Sequence, residues 1–331
     1  MIWLSLSATF SGRIQLLRSM YIGASIAISW AWGTSLIIGM QIAQQKGFGA
    51  FLTWATANCL TLVFFSLLWR KGLIREEVLG KPYVKWLALI IQCFCLIVQL
   101  KVIDDVMRSL GASPVLSYGL VTAIGLVFIL AMYRKGLDMS ILTDNYQGAM
   151  TLIALVVGIG TSIYCDVPRY VIPSSENSDL MWGAWSACIL MSGIITDIQH
   201  WQRAKKNGNG CAFECASVMF AVYLSLVYTL AHYHLNSIGY ICLLIAVLGV
   251  TTSTIDSIAV AMHRMHGKKV GTITACFLCI FWGVFASVGV LTLWSNFGAV
   301  RVLLACIIVG LGIHYKRGEE NAYRLAQHFK R

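Results

Sequence analysis

Ten apolar runs, each close to the roughly twenty residues that a helix needs to cross about 30 Å of hydrocarbon, occupy almost the whole of this 331-residue chain. They lie at 20–43, 48–69, 83–103, 112–133, 145–165, 179–200, 211–232, 237–263, 270–293 and 297–315. Composition excludes a soluble protein with unusually long core helices. Hydrophobic residues make up 58% and charged residues 12%, there are four prolines, and the mean hydropathy is +0.74, all far from soluble domains. The short alternating segments of a membrane β-barrel are missing. The chain reads as an all-α integral membrane protein. Its connections are too short for a linker or a soluble domain, which leaves a lead-in at 1–19, a ten-helix core at 20–315 and a basic tail at 316–331.

A formal charge of +11 raises the possibility of a nucleic-acid binder, and the distribution of that charge argues against it. With the amino terminus in the cytoplasm, every basic residue falls in a cytoplasmic segment except Lys46, Lys101, Arg108, Arg169 and Arg301. That asymmetry sets orientation. It predicts both termini in the cytoplasm of a multi-pass protein of the plasma or inner membrane, whose surroundings are lipid and whose partners do not include nucleic acid. The opening MIWLSLSATF lacks the basic start of a secretory signal, and Arg13 and Arg18 follow it. The eleven cysteines fall mostly inside the runs and read as filling; Cys276 and Cys279 have metal-finger spacing but no second pair.

Within the eighth run, TTSTIDS (251–257) puts five hydroxyls and a carboxylate where hydrocarbon is expected. Polar groups at that depth cost free energy unless they face a bundle interior or a solvated cavity. A cluster of neutral oxygens there suits a hard cation. Asp256, two residues beyond Thr254, points to another side of the helix and reads as structural. No nucleophile turn, phosphate loop or dinucleotide fingerprint is present, so an enzyme is not expected.

Ten runs also invite division into two sets of five, the second inserted with opposite orientation. The first run contains SWAWGTS (29–35) and the sixth contains MWGAWSA (181–187), each pairing two tryptophans with a glycine. A helix can open at Gly33 and Gly183 and turn its carbonyls toward a ligand. Trp30, Gly33, Thr34, Trp182 and Trp185 then become candidates for a substrate cavity. The alternative is an interfacial belt of tryptophan with glycine allowing close helix approach.

Several separated segments resemble the sodium/solute symporter family: SGRIQLLRSMYIGASIAISW (11–30), GLDMSILTDNYQ (136–147), TDIQHWQRAKK (196–206) and TTSTIDS, in that family's order and spacing. The cadence of SWAWGTSLIIGMQIAQQKGFGAFLTWA (29–55) is similar to the urea active transporter branch. The resemblance implies a LeuT-type 5+5 inverted repeat with helices 1 and 6 interrupted, shorter than the family's usual members. It implies a sodium ion held by the carbonyls of Ser29, Trp32 and Val250 and the hydroxyls of Ser253 and Thr254. It further places Asp197 facing the substrate cavity, and Asp144, Gln147, Gln202, Arg203 and Asp256 in gating or structural roles. Two local alternatives stand beside these: Asp197 pairing with Arg203 or Lys205, and Thr143 with Asp144 capping a helix. The expected function is sodium-coupled symport of a small polar solute by alternating access. A transport-inactive receptor or accessory subunit and a proton-coupled carrier are the other readings.

Overall fold

A computed structural model describes residues 2–208 and 210–328, with side chains over 14–322 apart from 134, 209 and 291. The interfacial character expected of the lead-in depends largely on side chains outside the described residues. The elements are α1 (Ile2–Arg70), α2 (Glu76–Leu79), α3 (Pro82–Ser109), α4 (Pro114–Tyr164), α5 (Asn177–Thr196), α6 (Ile198–Asn207), α7 (Ala212–Leu230), α8 (Ser237–His266), α9 (Lys268–Phe281) and α10 (Val290–His328). A single 3-10 turn, Trp282–Phe285, follows α9.

Among the described residues nine helical runs are long and apolar enough to cross a membrane. The first of these, Ile14–Arg70, has 57 residues, about twice what one crossing needs. It turns back at Gly47, whose φ of 83° is open to glycine. A Cβ at Gly39 would sit 3.2 Å from the Trp54 ring, so the limb after Gly47 folds along the limb before it. Gly136, with φ 67°, interrupts α4 in the same way. Counting both limbs of α1 gives ten segments.

Local chemistry fixes most boundaries. Pro82 and Pro114 open α3 and α4, where a missing N–H costs nothing. Ser113 and Asn236 cap α4 and α8 by accepting from Leu116 N and Gly239 N. Two boundaries differ from the hydropathy reading. The fifth segment begins just after Gly136 rather than near residue 145, because the polar stretch GLDMSILTDNYQ is helical and turns its polar side inward. The ninth ends at Phe285 and the tenth begins at Val290. Apolar composition is continuous across that junction, so hydropathy has nothing with which to locate it.

Four stretches are buried all round: 25–36 in α1, 95–104 in α3, 192–204 across α5 and α6, and 249–263 in α8. They form the centre, and nearly every buried polar residue of consequence lies on them or against them. Val115, Val127, Ile153 and Ile273 are among the apolar side chains left outward on α4 and α9, as a lipid-facing surface requires. Small residues let neighbours close in. A Cβ at Gly23 would meet Ala212 and Ala216 of α7, and one at Gly249 would meet Thr151 and Gln147 of α4.

Basic loops distant in sequence meet at one end of the bundle. Glu76 of α2 accepts from Lys205 Nζ at 2.8 Å and pairs with Arg264; Arg75 pairs with Glu319, and Lys206 with Asp138. At the opposite end Lys46 pairs with Asp179 at 2.7 Å, and Ser175 donates to the Lys46 carbonyl.

Candidate functional site

The first limb of α1 is broken at Trp32, which has φ 40° and ψ 146°. A bulky side chain in that region costs about 1–3 kcal/mol and persists only where its surroundings determine it. Gly33 is part of that determination: a Cβ there would fall 2.7 Å from Val102 Cγ1 and closer still to Thr251. Its N–H, freed by the break, donates to Gln99 Oε1 at 2.9 Å. Opposite the break stands the hydroxyl-rich face of α8. Thr254 Oγ1 lies 2.9 Å from the Val250 carbonyl and 3.4 Å from the Ser29 carbonyl. The contact with Val250 is an ordinary back-bond one turn along α8, so the pair of expected sodium donors that the fold itself brings together is Ser29 O and Thr254 Oγ1. Trp32 O accepts from Ser35 Oγ at 3.0 Å. Ser253 turns away and donates to Asp144 Oδ1 at 2.6 Å.

Asp144 anchors a second, denser cluster. It pairs with Arg203 Nη2 at 2.6 Å, both side chains fully buried, and also accepts from Ser25. Arg203 donates further to Ser25 Oγ and Ser257 Oγ. Asp256 accepts from Ser140 at 2.8 Å and Thr143 at 2.9 Å. Four elements, α1, α4, α6 and α8, are joined here. The capping reading of Thr143 and Asp144 is therefore wrong: both lie inside α4, several residues past Gly136. Gln147 donates to Thr252 Oγ1 at 3.0 Å, and Gln202 to the Val260 carbonyl at 3.4 Å.

The sixth segment is also interrupted, though not where its glycine suggested. α5 runs unbroken through Gly183, which lets Thr53 and Ala50 of α1 approach. Trp182 and Trp185 follow it away from the centre: Lys46 sits 5.5 Å over the Trp182 ring, and Trp185 is half exposed. Both are corrected here to the close-approach and belt alternative. The interruption is at Asp197, φ −92° and ψ 101°. Its carboxylate, fully buried, caps α6 by accepting from Gln199 N and takes further bonds from Gln199 Nε2 (2.6 Å) and Gln92 Nε2 (3.3 Å), with His200 Nε2 at 3.6 Å. Neither Arg203 nor Lys205 pairs with it; they take Asp144 and Glu76.

Between the break at Trp32, α5 and α10 lies a cavity lined by Trp30, Trp32, Thr34, Ser35, Trp54, Asn58 and Arg301 with Ile38, Leu190 and Trp294. Room for water centres totals about 20 Å³, enough for a water or two. Of the expected cavity residues, Trp30 and Thr34 line it, while Gly33 and Asp197 do not. Sequence reasoning passed over Arg301, which stands alone in GAVRVLLACIIVG. An ionisable residue at that depth was signal enough. Trp54 and Asn58, on the returning limb of α1, carried no signal, because only the fold carries them to the break. Compared with protein-family models and with curated proteins, the sequence finds no match.

Proposed function

We propose that this chain is a secondary transporter that couples sodium entry to the movement of a small polar solute. The observation carrying that reading is the meeting of a broken helix with a hydroxyl-rich one: the Ser29 carbonyl, next to the break in α1, reaches Thr254 Oγ1 of α8. Neutral oxygen dipoles replace a hydration shell without holding an ion too tightly to leave. Of the five donors expected for sodium, Ser29 O, Val250 O and Thr254 Oγ1 stand at the junction of the two helices, whereas Trp32 O and Ser253 Oγ are engaged with Ser35 and Asp144 and would have to turn to join them. When bound, the ion supplies a positive charge that draws α1 and α8 together. In this reading the ten segments form two inverted sets of five, as the resemblance to sodium/solute symporters implies, with the breaks in the first member of each set. The solute occupies the cavity beside Trp32. The ion pairs of Lys46 with Asp179 and of Glu76 with Lys205 and Arg264 close its two ends. One charge moving through 100 mV releases about 2.3 kcal/mol, roughly a fiftyfold accumulation.

The test needs no knowledge of the solute. Sodium, compared with choline at fixed pH, raises the thermal stability of the purified protein. The variant Thr254→Val, with Ser253→Ala beside it, abolishes that increment while eluting as a folded monodisperse species. An increment unchanged by either substitution overturns the ion site. One observation favours a proton as the coupling ion instead: two buried carboxylates, Asp144 and Asp256, share a cluster with the single guanidinium of Arg203. Stabilisation by acid alone, with choline in place of sodium, selects that second reading.

A further inference from the structure

The charge that sequence reasoning passed over is also one to which no carboxylate is directly bonded. Arg301 is 4% exposed, yet among the described residues no carboxylate oxygen lies within 4 Å of its guanidinium. Its Nη2 reaches only the Cys95 sulfur at 3.0 Å, its Cζ lies 4.4 Å from the centre of the Trp32 ring, and its Nε has no partner. Asp197 is near enough to feel the Arg301 charge but directs its oxygens to Gln92, Gln199 and His200 instead. Around the same void the indole Nε1 atoms of Trp30, Trp32 and Trp54 are buried donors without acceptors. A buried cation and three tryptophans with idle indole N–H groups therefore line one space, and no acidic side chain lines it.

Unpaired buried charges and donors are costly unless something answers them. We infer that the cavity binds a small organic monocarboxylate, with Arg301 as its counter-ion and the indole N–H groups as additional donors to its oxygens. A guanidinium presents parallel N–H groups that match a carboxylate fork. A cationic solute meets an uncompensated like charge, and a neutral amide leaves that charge unanswered. The void as it stands holds a water or two, so seating even a short carboxylate requires the surrounding apolar groups of Ile38, Leu190 and Trp294 to move outward. This assignment takes the cavity of the transport reading as the solute site, and binding alone tests it.

Four of the eleven tryptophans, Trp30, Trp32, Trp54 and Trp294, line the void, so emission from the purified full-length protein reports on occupancy. Titration with the sodium salts of acetate, propionate and pyruvate gives a saturable change for at least one acid. Acetamide and propionamide, of nearly the same shape, give none at tenfold higher concentration. Arg301→Gln weakens binding by at least about tenfold, as loss of a buried charge-assisted bond should, and Arg301→Lys recovers part of it. No saturable response to any of the three acids, equal responses to acid and amide, unchanged binding by Arg301→Gln, or a response to chloride alone each overturns the assignment. If Arg301→Gln does not fold, the acid–amide comparison on the unmodified protein decides. Carboxylate binding without sodium-driven accumulation in proteoliposomes leaves the anion assignment standing and removes the transport reading. Sodium-driven uptake of a neutral solute with no carboxylate binding does the reverse.

Discussion

Two buried arginines in this protein live in opposite circumstances. Arg203 is held by Asp144, Ser25, Ser257 and the Gln199 carbonyl, and the acid beside it is satisfied in turn by Ser25 and Ser253. Arg301 has a thiol and the face of an indole. Equal burial thus hides unequal accounts. A saturated network joins elements and holds them in one arrangement, whereas an unsaturated one is complete only with something that the chain does not provide. The first is a joint, and the second is a receptor.

The sharpest way to break that contrast is to remove one partner from the saturated cluster. Asp144→Ala leaves Arg203 buried and unpaired and costs about 3–5 kcal/mol, whereas Asp144→Leu combined with Arg203→Met recovers most of the loss. Unfolding in mixed detergent measures both, and equal damage by the single and the double change would show that the pair is not the origin. Gly33→Ala comes next. Its new methyl collides with Val102 and Thr251, and about 1–3 kcal/mol of stability is lost. Gly160→Ala, on the same scale, meets no atom within 4 Å and is neutral or mildly stabilising. A harmless Gly33→Ala would mean that the break is held by something else.

Arg301→Met tests the contrast by sign. With no directly bonded carboxylate to orphan, the substitution leaves stability unchanged or raises it by up to about 2 kcal/mol, while carboxylate binding disappears. A loss as large as that at Asp144 would mean that Arg301 is partnered after all. The smallest effect belongs to Glu76, at the start of α2 and outside both clusters. Burial opposes its ionisation, but hydrogen bonds and charge from Lys205 and Arg264 outweigh that and hold the carboxyl below the usual glutamate range. A group depressed in this way contributes at neutral pH and loses its contribution as pH falls below the ordinary glutamate value of about 4.3. Because solvent screens it, Glu76→Gln changes stability by under about 0.5 kcal/mol at neutral pH, and the difference between the two proteins vanishes near pH 3. A difference that persists in acid would assign the effect to something other than the charge.

Much of the architecture was legible because membrane helices announce themselves by length: the runs, their approximate ends and the gathering of basic loops all follow from apolar stretches and lysine and arginine positions. The site was legible where chemistry is local. Ser29, Val250 and Thr254 meet because TTSTIDS marks the polar face of one helix and SWAWGTS the weak point of another. What failed was inference from paired glycines. Gly33 and Gly183 look alike in sequence, but one flanks a strained break and the other lets Thr53 approach, and a glycine permits both. Asp197, whose short acceptor side chain can cap a new helix start, was the better marker of the second break. The capping alternative at Asp144 failed because a capping residue and a buried ion-pair partner are the same residue until Arg203 is brought beside it.

The bend at Trp32 has a mechanical consequence. On either side of it the backbone is regular helix, so the two pieces of that limb can swing against each other by turning one residue's pair of dihedral angles, with no intrahelical bond broken in either piece. Such a pivot is cheap to turn and sharply located. Because the indole at the pivot lies beneath the Arg301 guanidinium, whatever arrives to neutralise that guanidinium presses directly on the axle.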